Sequence, residues 1–134
     1  MLKMSKSINV YVQSLQDVPA DIYKQLYKLN YGQRGSMRDH LVNYRHADTD
    51  SASVCYIKGR KNLIKGWALM FEGLEKNEKE VHLYVKKVER NKGYGSALAQ
   101  VARKQFPNKK LYGYHEYSTI FERSRIRDAG RQTY

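Results

Sequence analysis

The stretch Leu83-Tyr84-Val85-Lys86-Lys87-Val88-Glu89-Arg90-Asn91-Lys92-Gly93-Tyr94-Gly95-Ser96-Ala97-Leu98 holds the residues best suited to chemistry. It reads as a β-rich run, a short basic loop, two glycines one residue apart, and the start of a helix. The first amides of a helix have no intrahelical acceptor and lie at the positive end of its dipole, so they attract an anion. Gly93 and Gly95 lack Cβ atoms, which lets a phosphate approach the backbone. A Walker A loop needs G-x-x-x-x-G-K-[ST], which the chain does not contain. A dinucleotide fingerprint needs a third glycine where Leu98 stands. The pattern that fits is [RQ]-x-x-G-x-[GA], met by Arg90, Gly93 and Gly95.

Upstream on the same run, Glu80 and His82 alternate onto one strand face with Tyr84. Each is a candidate base, acting directly or through water. The alternatives stay open: His82 as a part-buried strand residue satisfied by a neighbour, and Glu80 as an exposed strand end. His40, His46, His82 and His115 show no zinc spacing, and there is no second cysteine, so no metal is expected. Cys55 alternates with Val54 and Tyr56 and reads as a small core thiol. Tyr23, Tyr27, Tyr31, Tyr112, Tyr114 and Tyr117 suit base stacking or helix–sheet seams equally.

The elements that must carry these residues follow from periodicity. Ser7 to Gln13 alternates as a strand, and Asp17-Val18-Pro19 leads into an amphipathic helix from Ala20 to Tyr31 through Ile22, Leu26 and Leu29. Ser36-Met37-Arg38-Asp39 has a capping-box pattern and opens a short second helix. Ser53 to Lys58 and Leu63 to Phe71 form a hairpin around the Gly59 to Asn62 turn, with Trp67 in its core, and Glu80 to Val85 is a further strand. After the loop, Leu98, Ala102 and Phe106 stripe a helix that Pro107-Asn108 stops. Lys110 to Tyr114 is a strand, and Thr119 to Ala129 is expected to be helical. The order β-α-α-β-β-β-α-β-α, without repeats or linkers, predicts one α/β (α+β) domain over residues 1–134, with a mixed sheet flanked by helices.

The chain has 134 residues, with 25 Lys plus Arg against 13 Asp plus Glu, a formal charge of +12. Hydrophobic residues at 41% supply a core and argue against disorder. No apolar run approaches the roughly 20 residues that cross a bilayer, and no h-region follows Met1. With a single cysteine, a cytoplasmic location is expected. Between Lys86 and Lys110 eight cations face Glu89 alone, a local balance of +7 around the expected phosphate site. Net charge by itself favours any polyanion and says nothing about fold.

On the strand, basic loop and helix start from Leu83 to Leu98, the sequence resembles the GCN5-related N-acetyltransferases, the GNAT superfamily. The upstream order of one strand, two helices and two strands suits the same, mostly antiparallel fold. The resemblance implies that acetyl-CoA is the co-substrate. Val85, Lys86, Lys87, Arg90, Asn91, Lys92, Gly93, Tyr94, Gly95 and Ser96 would then bind it, the loop amides taking the pyrophosphate. An amine would attack the thioester directly, with the backbone N–H of Val85 stabilising the oxyanion.

Two departures stand out. The helix after the fifth strand often carries a tyrosine acid in relatives, but here Ile126 takes that place, leaving Tyr117, Ser118 and Ser124 as substitutes. The chain also stops at Tyr134, before the further strands that wall the acceptor cleft in most relatives. The acceptor site is then shallow, completed by a second subunit in a homodimer, or of another kind. The expected function is N-acetyl transfer to a primary amine on an acidic protein or RNA. The alternative is a catalytically weak binding module for an acidic protein or nucleic acid.

Overall fold

The computed structural model describes residues 8–30, 37–45, 52–114 and 124–128. Along the chain come β1 (Tyr11–Ser14), α1 (Ala20–Lys28), α2 (Met37–Arg45), β2 (Ser53–Lys58), β3 (Ile64–Glu72), β4 (Glu78–Val85), α3 (Tyr94–Gln105), β5 (Lys110–Tyr114) and β6 (Arg127–Asp128). The strands form one six-stranded sheet in chain order. β1 to β4 are antiparallel neighbours, whereas β4·β5 and β5·β6 are parallel. No helix among the described residues is long and apolar enough to cross a membrane.

Strand alternation divides the core in two. On one face α1 and α2 bury Ile22, Leu26, Met37 and Leu41 against Val54, Tyr56, Trp67, Leu69 and Phe71. On the other, Leu98, Ala99 and Ala102 of α3 meet Cys55, Ala68, Met70, Val81, Leu83 and Val85. Neighbouring strand residues point to opposite faces, so nearly every position of β3 is apolar. Gly66 sits where the sheet and α3 are closest: a Cβ there would lie 3.2 Å from both Tyr84 O and Val85 Cγ2, and 3.3 Å from Leu98 Cδ1. α1 is fastened to the β2–β3 turn by Gln25, which donates to Asn62 O at 2.9 Å and accepts from Ile64 N at 2.8 Å.

α1 ends at Lys28, short of the expected Tyr31, because Leu29 leaves helical geometry and Asn30 Nδ2 donates to Tyr27 O at 2.7 Å. The larger correction concerns the expected helix from Thr119 to Ala129. Residues 119–123 and 129 lie outside the described residues, but Ser124 and Arg125 form a turn and Arg127–Asp128 is the edge strand β6. Arg125 has φ 57°, which a helix does not tolerate. Ile126 is 2% exposed in the α3-side core, and β6 pairs Tyr112↔Arg127 and Gly113↔Asp128. Pairing a sheet edge and burying Ile126 outweigh a helix whose apolar residues fall on no single stripe.

Candidate acyl-transfer site

β4 delivers both candidate features. Lys86 N donates to Lys65 O at 2.8 Å, so the amide at this end of β4 that faces β3 is that of Lys86. By alternation the N–H and C=O of Val85 turn to the other side. There the β5 register runs only to His82↔Tyr114, so among the described residues Val85, paired with Gly66 of β3, has no strand partner on its β5 side. Its carbonyl accepts from Arg90 Nε at 3.0 Å, and Arg90 also lies over the Tyr84 ring at 5.2 Å. The N–H of Val85, the expected oxyanion donor, therefore faces the β5 side of β4, past the last described pair of that register.

The basic loop then turns into α3. Asn91 (φ 66°) and Gly93 (φ 84°) are both left-handed, a conformation glycine adopts freely and asparagine better than most. The first helical bond is Ala97 N to Gly93 O at 3.0 Å, and no side chain caps the helix. Tyr94, Gly95 and Ser96 thus present amides without intrahelical acceptors. Among the described residues, a Cβ on Gly93 would meet only Ile8 Cδ1, at 3.7 Å. Lys86, Lys87 and Lys92 are exposed around it. Lys65 joins from β3, donating to Tyr94 OH at 3.0 Å, and Glu89 is held by Lys92 at 3.1 Å and Lys65 at 3.9 Å. The expected diphosphate cradle, Val85 to Ser96, falls on this turn, whose free amides and exposed cations make it electropositive.

The expected +7 around this cradle divides. Lys86, Lys87, Arg90 and Lys92 are here, but Arg103 and Lys104 stand in the last turn of α3 and Lys109 and Lys110 follow it, and the 12 residues of α3 span about 18 Å.

Glu80 and His82 are brought together on the α1/α2 face. His82 Nε2 lies 2.5 Å from Glu80 Oε2, and Tyr112 OH donates to Glu80 Oε1 at 3.0 Å. Tyr112 is itself placed by Leu74 N, which donates to its oxygen at 3.1 Å. His40, from α2, lies 3.9 Å from Glu80 Oε2, with its ring 4.6 Å from Phe71 and 5.0 Å from His82. The His82 side chain is 0% exposed and that of Glu80 12%, whereas that of His40 is 28% exposed. Burial pushes the Glu80 pKa up, but the hydrogen bonds and charges of His82, Tyr112 and His40 outweigh it and leave Glu80 below the ordinary carboxylate range. Burial, then the neighbouring His82, lowers the His40 pKa, and burial with Glu80 pushes the Tyr112 hydroxyl up to about 12.

Ligand atoms of His40, Glu80 and His82 lie within 4.8 Å of one another. The 2.5 Å His82–Glu80 contact is a hydrogen bond, however, tighter than the roughly 3.3 Å between ligands on a tetrahedral ion with bonds near 2.0 Å.

Tyr117 and Ser118 lie outside the described residues. Ser124 is buried, and among the described residues its Oγ has no hydrogen-bond partner. His40 and Tyr112 were not marked by spacing. They are distant from Glu80 in sequence, and only packing of α2 and pairing of β5 bring them to it.

The described part of the chain can be superposed on solved structures. It matches the crystal structure of Tetrahymena GCN5 with a TM-score of 0.59 at 14% identity, covering 89% of this chain and 78% of that one. The fold is that of the GCN5-related N-acetyltransferases. Weaker superpositions, each at TM-score 0.49, reach a GNAT-family acetyltransferase from Bacillus anthracis (13% identity, 76% and 65% coverage) and N-acetylglutamate synthase from Neisseria gonorrhoeae complexed with coenzyme A and N-acetyl-glutamate (19%, 77% and 24%). The chain spans about two thirds of the former and a quarter of the latter, and neither bears weight here. No protein-family model and no curated protein matches the sequence.

Proposed function

We propose that the protein is an acetyl-CoA-dependent N-acetyltransferase acting on a primary amine. One observation carries the reading: the uncapped amides of Tyr94, Gly95 and Ser96 open beside the Val85 N–H, in a cation-lined turn of a GNAT fold. The amides and Arg90 hold the diphosphate, and the Val85 N–H receives the charge that develops on the thioester oxygen. The amine nitrogen bonds to the carbonyl carbon, the C–S bond breaks, and the thiolate takes a proton.

The amine proton goes to the His40–Glu80–His82 network. His82 lies three strand residues from Val85, about 10 Å, and Glu80 about 16 Å, so water bridges the gap. His82 is sealed from solvent, which makes His40 and Glu80 the members that meet this water. Glu80, held below the ordinary carboxylate range and so ionised at neutral pH, stabilises the positive charge that the captured proton brings.

Isothermal titration with acetyl-CoA tests the reading. Gly95→Glu places a carboxylate against the diphosphate and is expected to abolish binding. Because Gly95 is buried, circular dichroism must show an intact fold. No heat with wild-type protein at millimolar acetyl-CoA refutes the proposal. Labelled acetyl-CoA in cell lysate, with and without nuclease, then identifies the acceptor as protein or RNA.

A further inference from the structure

The far end of α3 carries a second concentration of charge that the acyl-transfer reading does not use. Arg103, Lys104, Pro107, Lys109 and Arg125 line a cavity of about 270 Å³. Four of these five residues are cations, and no acidic side chain among the described residues lines it. At about 30 Å³ per water the space equals roughly nine waters, enough for a phosphate group with part of its hydration.

The cavity is built by Arg103. Its guanidinium donates to Arg125 O at 3.4 Å, to Lys109 O at 2.7 Å and to Phe106 O. It thereby ties the end of α3 to the turn before β5 and to the segment before β6. That use fixes its charge in place and consumes its donors, leaving Lys104, Lys109 and Arg125 to contact a ligand. Burial and the nearby Arg125 charge both lower the Arg103 pKa, which records a like-charge pair that an anion would relieve. Arg125 holds its place at φ 57°, a left-handed conformation costly for a residue with a side chain.

We propose that this cavity is a phosphate-binding site separate from the diphosphate cradle. The two ends of α3 are about 18 Å apart, so one diphosphate cannot span them. A phosphate presents several strong acceptor oxygens and, as a monoester, up to two negative charges at one point; this suits Lys104, Lys109 and Arg125, backed by the fixed charge of Arg103, better than a carboxylate does. The group is carried either by a small phosphorylated molecule or by a polynucleotide backbone.

The test compares wild-type protein with Lys104→Glu/Lys109→Glu and with Lys24→Glu/Lys28→Glu. The latter makes the same charge change at exposed positions of α1. The probes are inorganic phosphate by calorimetry, a short labelled single-stranded RNA by anisotropy at low and moderate salt, and poly-glutamate. The cavity variant is expected to lose about tenfold or more in affinity, and its RNA salt slope to flatten by about 1.4 for two lost contacts. Loss with inorganic phosphate alone assigns a small ligand, whereas loss with RNA assigns a backbone. An equal loss in the α1 variant, no loss with either phosphate probe, or tighter binding of poly-glutamate overturns the proposal. None of these readouts depends on acetyl transfer.

Discussion

Glu80→Gln isolates the hub of the proton network. The carboxylate accepts from Tyr112 and pairs with His82 while facing His40. Glutamine keeps the size but offers one acceptor oxygen and no charge, so both bonds lose their charge assistance and one site meets an N–H. Hydrogen bonds to charged groups contribute about 1.5–3 kcal/mol and neutral ones about 0.5–1.5, which puts the loss near 2–3 kcal/mol. For a domain of this size that is a fall in Tm of about 8–12 °C. Because the folded pKa of Glu80 lies below its unfolded value, its stabilisation is present above the ordinary Glu range and drains as pH falls through the folded pKa. The variant lacks this acid limb. Turnover with the acceptor identified by label transfer is expected to fall about 10²–10⁴-fold with acetyl-CoA affinity unchanged. Thermal melts across pH and initial rates of thiol release read the two effects separately. An unchanged Tm would refute the network, and a lowered Tm with wild-type rates would refute its catalytic role.

Three further outcomes follow from particular contacts. His40 has a folded pKa below 6.5, so the unfolded chain binds its proton first and stability declines as pH falls from about 6.5 toward the folded value. His40→Phe should flatten that slope in urea midpoints. Gly66→Ala forces a methyl group to 3.2 Å from Tyr84 O and Val85 Cγ2, which should cost about 1–3 kcal/mol and raise KM for acetyl-CoA by shifting the end of β4. A wild-type KM and Tm would show that β4 yields without consequence. Cys55 is fully buried with its thiol pushed up to about 12, so a disulfide reagent should react only at the rate of opening, and fast labelling of the native protein would contradict its burial.

Local chemistry was the part legible in sequence. Arg90, Gly93 and Gly95 lie within six residues, and the helix end, the left-handed turn and the cations there all depend on neighbours in the chain. The hairpin around Trp67 and the stripe of α3 were likewise readable, because periodicity reports which face is buried. Residues 124–128, expected to be helical, form a turn and a strand because pairing with the edge of β5 and the burial of Ile126 decide their conformation.

The sequence by itself carried the order of elements as far as β5, the Arg90, Gly93 and Gly95 pattern, and the candidate pair Glu80 and His82. Tertiary structure decided which groups join that pair: α2 packs His40 above it, and parallel pairing sets Tyr112 opposite Glu80. It also decided that the basic run from Lys86 to Lys110 forms two separate clusters of charge and not one. A rigid helix holds its ends about 18 Å apart however close in sequence their charges lie.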